Sequence, residues 1–161
     1  MAKLKLLIDD FDEPEYSLIA MHTVLEDYRL AFFINKNLKL KLIRNHNFEL
    51  KTKTGTLIFR KFVFEDEFND RKWTLVQNKN EIIVVDKKNE TNLFFDNKTE
   101  TEIKIFLLPE YKNVDYFLKI EHPDNVFETS ETIKNISEIY NLSAVYKIDN
   151  QNIKSKNNLI F

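Results

Sequence analysis

The sequence predicts an α+β fold with a mostly antiparallel sheet of about seven to nine strands and two helices packed on one face. Short apolar runs with period-two alternation follow one another through the middle of the chain, which is typical of strands joined by hairpins. Two segments with helical spacing, residues 24–37 and 130–140, flank that middle. Because strands and helices do not alternate along the chain, the pattern favours this arrangement over a parallel sheet covered on both faces.

Length and composition indicate one domain. The chain has 161 residues, of which 43% are hydrophobic, and its 14 Phe and 6 Tyr supply enough apolar area for a core. Residues 1–148 are therefore predicted to form a single α+β domain. Residues 149–161 are rich in Asn and Lys, so we predict a mobile tail there, whose apolar residues 159–161 are able to dock on the body.

The first helix is predicted over residues 24–37. Thr23 and Glu26 have the spacing of a capping box, and Asp27 is the alternative N-cap. The apolar residues at helical spacing are Leu30, Phe33, Ile34 and Leu38.

The second helix is predicted over residues 130–140. Thr129 or Ser130 can cap its first turn. Ile133, Ile136 and Tyr140 then fall on one face.

Strands are predicted where apolar residues alternate or where branched and aromatic residues follow one another. The predicted ranges are 3–8, 16–22, 38–42, 56–64, 73–76, 82–86, 93–95, 102–108, 114–121 and 142–148, with a weak strand within 45–54. The polar segments 77–80 and 109–113 are predicted as hairpin loops between consecutive strands.

Several classes of function lack the residues they need. The chain has no Cys and only one Gly, which excludes thiol chemistry, Cys-based metal sites and Gly-rich phosphate loops. His22, His46 and His122 include no pair at helical spacing, and no signature of a known catalytic class occurs. We therefore expect no cofactor and no metal, and an enzyme of an unrecognised type stays open.

Charge and hydropathy predict a cytoplasmic protein. The formal net charge is -2, so no long-range field draws the protein to nucleic acid or to an anionic membrane. The first residues hold too short an apolar run for a signal peptide. No stretch approaches the roughly 18 apolar residues that cross a bilayer.

Two short motifs carry a resemblance to a known family. Residues 108–116 read LPEYKNVDY, which resembles the signature of the bacterial IPExxxVDY family with Leu108 in place of the Ile. Residues 25–31 read LEDYRLA and are similar to that family's second motif. The resemblance implies a bacterial protein and carries no assigned activity, cofactor or catalytic residue. The family's gene neighbourhoods, which contain ribonuclease III and pyruvate kinase, imply a housekeeping role near RNA.

The two motifs supply the predicted partner-binding surface. Pro109 ends a strand and Asp115 can accept hydrogen bonds from loop amides, so turn formation alone explains part of the motif at residues 108–116. Alternatively, the loop presents side chains for recognition, with Arg29 facing Glu110, Asp115 or a carboxylate or phosphate of a ligand. The residues assigned to this surface are Asp27, Tyr28, Arg29, Pro109, Glu110, Tyr111, Asp115 and Tyr116.

A stripe of basic residues offers a nucleic-acid surface instead. Lys39 and Lys41 share a face if their segment is a strand, and Phe59, Phe62 or Trp73 is near enough in sequence to stack on bases. No RNP-type run accompanies them, and Lys on sheet edges also limits aggregation. The residues of this alternative are Lys39, Lys41, Arg44, Lys51, Lys53, Arg60 and Lys61.

The sequence therefore favours a non-catalytic binding or adaptor protein of the bacterial cytoplasm that engages a protein partner. An RNA-associated accessory factor is the first alternative, and an enzyme of an unrecognised type is the second.

Overall fold

The structure is a computed structural model that describes residues 15–53, 55–85, 100–123 and 127–161. Within these ranges it contains two helices, α1 (Asp27–Leu38) and α2 (Ser130–Ser137). The strands there are β1 (Tyr16–Thr23), β2 (Ile43–Arg44), β3 (Phe48–Thr52), β4 (Gly55–Phe59), β5 (Lys61–Asp66), β6 (Arg71–Gln77), β7 (Lys79–Val85), β8 (Glu100–Phe106), β9 (Tyr116–Glu121) and β10 (Leu142–Ile148). The predicted α+β class is confirmed.

Six strands form one antiparallel sheet in the order β10-β1-β9-β6-β5-β2. The remaining four described strands form two antiparallel pairs, β3 with β4 and β7 with β8. The mostly antiparallel arrangement is therefore confirmed. The main sheet has fewer strands than the roughly seven to nine predicted, because four strands belong to separate pairs.

Both helices pack on the same face of the main sheet, as predicted. Strand side chains alternate between faces, so Ile19 and Met21 of β1 point to this side. The core between helices and sheet is completed by Leu30, Ala31, Ile34, Trp73, Leu75, Tyr116, Leu118, Ile120, Ile136 and Ile139.

The opposite face of the sheet is also buried. Leu18 and Ala20 of β1 and Phe117 of β9 point to it. The β3–β4 pair covers it with Leu57 and Phe59. A C-terminal segment with 3₁₀ turns at Asn150–Asn152 and Lys156–Leu159 adds Ile153 and Leu159.

That C-terminal segment includes the residues predicted as a mobile tail with apolar residues able to dock. Ile153 and Leu159 are both almost fully buried on the second face. Lys119 of β9 donates a hydrogen bond of 2.9 Å from Nζ to the Leu159 carbonyl oxygen. Leu159 is therefore docked on the body of the protein, which is the possibility given for the apolar residues 159–161. The predicted strands 3–8 and 93–95 lie outside the described residues.

The start of α1 differs from the predicted capping box. The N-cap is Glu26, and no side chain caps the helix. Thr23 Oγ1 instead accepts a hydrogen bond from the Leu25 amide and donates one to the Asn141 carbonyl oxygen, at 3.1 and 2.8 Å. Thr23 therefore joins the end of β1 to the turn before β10.

The predicted strand over residues 38–42 is wrong. Lys39 has a left-handed backbone (φ 56°) that ends α1. Asn35 then accepts a hydrogen bond from the Leu42 amide and donates one to the Leu42 carbonyl oxygen, at 2.7 and 3.0 Å. Since these side-chain bonds take the backbone groups that a strand would use, only the two-residue strand β2 follows.

The end of α2 also differs from the prediction. The helix ends at Ser137, and Tyr140, predicted to share the buried face with Ile136, is 82% exposed. Ile139 takes the buried place instead. The chain turns after Ser137, so helical periodicity no longer places residue 140.

Three predictions fail where the chain leaves the main sheet. The predicted strand 56–64 is divided at Arg60, because β4 and β5 belong to different sheets. Residues 77–80 and 109–113 are not hairpin loops, since β7 pairs with β8 while β6 and β9 pair with each other. Asn78 is the crossing point between β6 and β7.

Asn78 holds this crossing with a fully buried side chain. Its Nδ2 donates to the carbonyl oxygens of Tyr111 and Val114, both at 2.9 Å. Its Oδ1 accepts from the Leu108 amide at 2.9 Å. One side chain therefore satisfies three backbone groups of the turn before β9.

We expect Asn78→Ala to lower the free energy of unfolding by about 3 kcal/mol, because it leaves three backbone groups without a partner at a buried place. Urea unfolding followed by Trp73 fluorescence measures the loss. Asn80→Ala is the matched control, since Asn80 makes a single exposed hydrogen bond to the Ile58 carbonyl oxygen. Equal losses in the two variants would contradict the role given to Asn78.

Candidate functional site

The candidate site is a cleft of about 400 Å³ at one end of the main sheet. The segment 23–28, which joins β1 to α1, forms one wall. Arg60, Lys79 and the pair 115–116 are among the residues that line the rest. The cleft exists because β1 ends, β9 begins and the chain crosses between sheets at the same end of the structure.

Asp115 is the link between these elements. Its Oδ2 accepts a hydrogen bond of 2.9 Å from the Thr23 amide at the end of β1. Its Oδ1 lies 2.6 Å from Lys79 Nζ at the start of β7. Its own amide donates to the Met21 carbonyl oxygen at 3.0 Å. The carboxylate therefore has partners on two sides and is occupied in holding the fold.

Tyr116 joins the two sequence motifs. Its ring is buried under α1, and its hydroxyl donates a hydrogen bond of 2.8 Å to the Leu25 carbonyl oxygen. Burial, followed by the nearby charges of Asp27 and Asp115, raises the pKa of Tyr116 to about 12. The phenol therefore stays neutral at physiological pH and serves as a hydrogen-bond donor.

Asp27 carries a buried charge at the first turn of α1. Only 9% of the residue is exposed. Its Oδ1 accepts from the Tyr28 amide at 2.8 Å. Its Oδ2 has no hydrogen-bond partner among the described residues, and it lies 3.8 Å from Arg44 Nη1 and 3.7 Å from Arg60 Nη1. Two guanidinium groups thus surround one carboxylate at ion-pair distance.

The outer side of α1 carries exposed apolar side chains beside the cleft. Val24, Tyr28 and Phe32 are 90%, 59% and 61% exposed. Tyr28 and Phe32 are four residues apart on α1 and therefore lie on the same side of the helix, whereas Val24 lies in the segment just before it. Tyr28 also bonds to the carboxylate of Glu26, which is the largest cause of its raised pKa. We call Val24, Tyr28 and Phe32 the apolar stripe.

The structure brings together only part of the predicted partner-binding set. Asp27, Tyr28, Asp115 and Tyr116 line the cleft. Arg29 is exposed on α1. Val24 and Phe32 were not predicted as site residues, although the spacing of Phe32 from Tyr28, on the side of α1 away from Leu30 and Ile34, was a signal for Phe32.

Pro109, Glu110 and Tyr111 do not line the cleft. Tyr111 packs edge-on against Phe117 on the second face of the sheet, with ring centroids 6.4 Å apart. Glu110 accepts hydrogen bonds from the amides of Lys154 and Ser155, both at 2.8 Å, and from Ser155 Oγ at 3.0 Å. This loop therefore anchors the C-terminal segment.

The predicted pairing of Arg29 with an acidic residue of this chain is wrong. Asp115 pairs with Lys79, and Glu110 bonds to residues 154 and 155. Of the partners considered from the sequence, only a carboxylate or phosphate of a ligand is left for Arg29.

The basic residues of the nucleic-acid alternative are dispersed. Lys39 and Lys41 do not share a strand face, because their segment is not a strand. Arg44 and Arg60 are held at Asp27. Lys61 Nζ lies 5.9 Å from the ring centroid of Phe161, and burial, with the nearby charge of Lys72, lowers its pKa. Lys51 and Lys53 are exposed on and just after β3.

The aromatic residues named for base stacking are also unavailable. All three are buried: Phe62 and Trp73 lie in the core under the helices, and Phe59 lies in the core on the opposite face of the sheet.

Two further observations concern metals and membranes. In the described parts of the chain, no group of three or more His, Cys, Asp or Glu side chains is placed to hold a metal ion. Neither of the two helices described is long and apolar enough to cross a membrane.

The fold and the site define an α+β protein with a six-stranded antiparallel sheet covered on both faces and a charged cleft beside α1. No protein-family model, curated protein or solved structure matches this chain. The resemblance to the IPExxxVDY family therefore stays a prediction from the two motifs.

We expect stability to fall in alkaline solution because of Tyr116. The folded state favours the neutral form of the Tyr116 hydroxyl, whose pKa there is about 12. This contribution is fully present below about pH 10, where unfolded tyrosine begins to ionise, and it is lost as pH rises toward the folded pKa. Tyr116→Phe should flatten the dependence of the urea midpoint on pH between about 9 and 11. Tyr140→Phe, at an exposed position, should not. Identical slopes for Tyr116→Phe and the wild type would contradict the assignment.

We expect Glu110→Gln to loosen the C-terminal segment. Burial alone would raise the pKa of Glu110, but hydrogen bonds from Ser155 and Lys154 outweigh it and lower that pKa below its ordinary value of 4.5. The ionised Glu110 carboxylate thus stabilises the fold above pH 4.5. This stabilisation is lost as pH falls through the lowered pKa of Glu110.

The variant should therefore lose about 1 kcal/mol of unfolding free energy at neutral pH, and the difference from wild type should shrink under acid. Urea unfolding from pH 7 down to pH 3 gives both values. Glu49→Gln, at an exposed position on β3, is the control. A difference that persists at the lowest pH would argue against a charge-dependent anchor.

Proposed function

We propose that this protein is a non-catalytic binding protein that engages a protein partner through the outer surface of α1. The observation that supports this proposal is the apolar stripe, in which Tyr28 and Phe32 are exposed on a helix whose other side is buried and Val24 is exposed just before that helix. Large contiguous apolar patches are uncommon on soluble proteins unless another molecule covers them, whereas single exposed apolar side chains are ordinary.

The stripe is held by a rigid support. Leu30 and Ile34 on the inner side of α1 are fully buried against the sheet, and Tyr116 hydrogen-bonds to Leu25 just before the helix. Side chains on an anchored helix lose little backbone entropy on binding. Tyr and Phe are also enriched at the centres of protein interfaces, where they bury large areas with few rotatable bonds.

The state of the cleft supports binding over catalysis. Asp115 is paired with Lys79, Asp27 is surrounded by two arginines, and Tyr116 is held neutral. A general acid or base needs a titratable group that reaches the substrate and has a pKa near the working pH. The three groups named here serve as links within the fold. An enzyme of an unrecognised type therefore gains no support from them.

The nucleic-acid alternative gains less support than a protein partner. A single-strand site combines a continuous basic groove with exposed aromatic rings. Here Arg44 and Arg60 lie together at Asp27, but the lysines of the set are distributed over several elements, and the rings nearest in sequence are buried. Exposed rings occur instead at Tyr28 and Phe32 on α1, at Phe68 after β5 and at Tyr140 after α2.

The stripe is tested by Tyr28→Ala combined with Phe32→Ala. Tagged wild-type protein is used to capture partners from native lysate, and each protein identified by mass spectrometry is then purified and titrated directly. We expect the double variant to weaken the direct affinity by about thirtyfold, which corresponds to two moderate hot-spot residues. The proposal is supported if the double variant loses affinity while circular dichroism shows that it is still folded.

The matched control is Phe68→Ala combined with Tyr140→Ala. It also removes two exposed aromatic rings, in the turn after β5 and just after α2. Equal loss in both double variants, or full retention in the first, would overturn the proposal. Salt-sensitive RNA binding that is lost in Lys39→Ala with Lys41→Ala would support the RNA alternative instead.

A further inference from the structure

We infer that the partner presents an acidic segment with interspersed apolar residues to the outer surface of α1. This inference rests on the proposed function and names the chemistry of the partner. It is based on the charges beside the apolar stripe and on the ion pairs of Arg44 and Arg60 with Asp27.

The surface around the stripe has the opposite charge from the whole protein. The chain carries a formal net charge of -2. The cationic side chains beside the stripe and the cleft are Arg29, Lys36, Arg44, Arg60 and Lys79, against the carboxylates of Glu26, Asp27 and Asp115. Five cations against three anions leave an excess of two positive charges among the described residues of this surface. A segment with negative charge is therefore attracted and oriented there.

Arg44 and Arg60 both lie beside Asp27 at the surface, and neither donates a hydrogen bond to its carboxylate. Their nearest nitrogens lie 3.8 and 3.7 Å from Asp27 Oδ2, which is beyond ordinary hydrogen-bond length. Their side chains are 45% and 61% exposed, whereas that of Asp27 is 11% exposed. An incoming molecule thus meets the guanidinium groups first, and the buried carboxylate holds them in place.

Free donors remain on these arginines. Arg44 donates one hydrogen bond, from Nη2 to Asn47 Oδ1 at 2.9 Å, and the Arg60 side chain donates none to any described residue. A planar guanidinium group can receive a carboxylate through two parallel hydrogen bonds. Carboxylates on the partner therefore fit beside the stripe, while apolar side chains between them cover Val24, Tyr28 and Phe32.

A second copy of this chain fits the surface poorly. A symmetric contact between two copies of the stripe would bring Arg29 and Lys36 of one copy toward the same residues of the other. Like charges at an interface are unfavourable, so self-association through this surface is disfavoured. An acidic partner meets no such repulsion.

The experiment is a selection from phage-displayed random peptides of about 16 residues, long enough for an amphipathic helix or an extended segment to cover the stripe. Full-length wild-type protein is the target. Each enriched peptide is synthesised, and its affinity is measured by fluorescence anisotropy at low salt and at about 0.5 M salt. We expect enriched peptides to carry net negative charge together with Leu, Phe or Trp, and to bind more weakly at high salt.

Three double variants separate the two proposals. Arg29→Glu with Lys36→Glu should weaken acidic peptides more than about tenfold. Lys51→Glu with Lys53→Glu makes the same charge change on and just after β3 and should change the affinity less than about twofold. Tyr28→Ala with Phe32→Ala should abolish binding of the same peptides.

Each other outcome overturns something specific. Enriched peptides that need Tyr28 and Phe32 but are neutral or basic would overturn the acidic partner and leave the proposed function standing. The absence of any peptide that needs those two residues would overturn both. Self-association in sedimentation, lost in Phe32→Glu, would assign the stripe to a second copy and overturn the acidic partner.

Discussion

The structure depends on the burial of apolar side chains on both sides of the central strands. Ile19 and Met21 of β1 point toward the helices, while Leu18 and Ala20 point the other way, and all four are fully buried. Because strand side chains alternate, a sheet of this kind needs a cover on each face. The two helices cover one face. The β3–β4 pair and the C-terminal segment cover the other, and the chain leaves the main sheet at Arg60 and Asn78 to build this second layer.

The position of the cleft follows from that double cover. The crossings at Arg60 and Asn78 lie at the end of the sheet where β1 passes into α1 and where β9 begins. Asp115 and Tyr116 join these pieces through hydrogen bonds to Thr23 and Leu25. The two sequence motifs therefore meet in space, and their polar groups are largely occupied within the fold. The outer side of α1 stays exposed beside the cleft.

Local patterns predicted those parts of the fold in which local and tertiary preferences agree. The last strand was predicted over residues 142–148 and is found there, and the predicted strand 16–22 differs from β1 by one residue. Predictions failed where one side chain bonds to a distant or non-repeating backbone group. Asn35 draws residue 42 away from a strand, and Asn78 replaces a hairpin turn by a crossing. The candidate site was predicted only in part, because distant contacts also decide which of the predicted residues meet. Asp27 and Asp115 were chosen from the motifs, whereas the separation of Glu110 from them depends on where residues 154 and 155 dock.

The sequence by itself determined the α+β class, the two helical segments and most of the strands, because residue periodicity and turn chemistry act over a few neighbouring residues. It also determined which classes of chemistry lack their residues, since the absence of Cys and the single Gly are matters of composition. Only the tertiary structure decided which strands pair, which side of α1 stays exposed and which carboxylates are already paired. Those outcomes depend on contacts between residues far apart in the chain, such as Thr23 with Asp115. Patterns within a few neighbouring residues do not determine the free energy of such contacts.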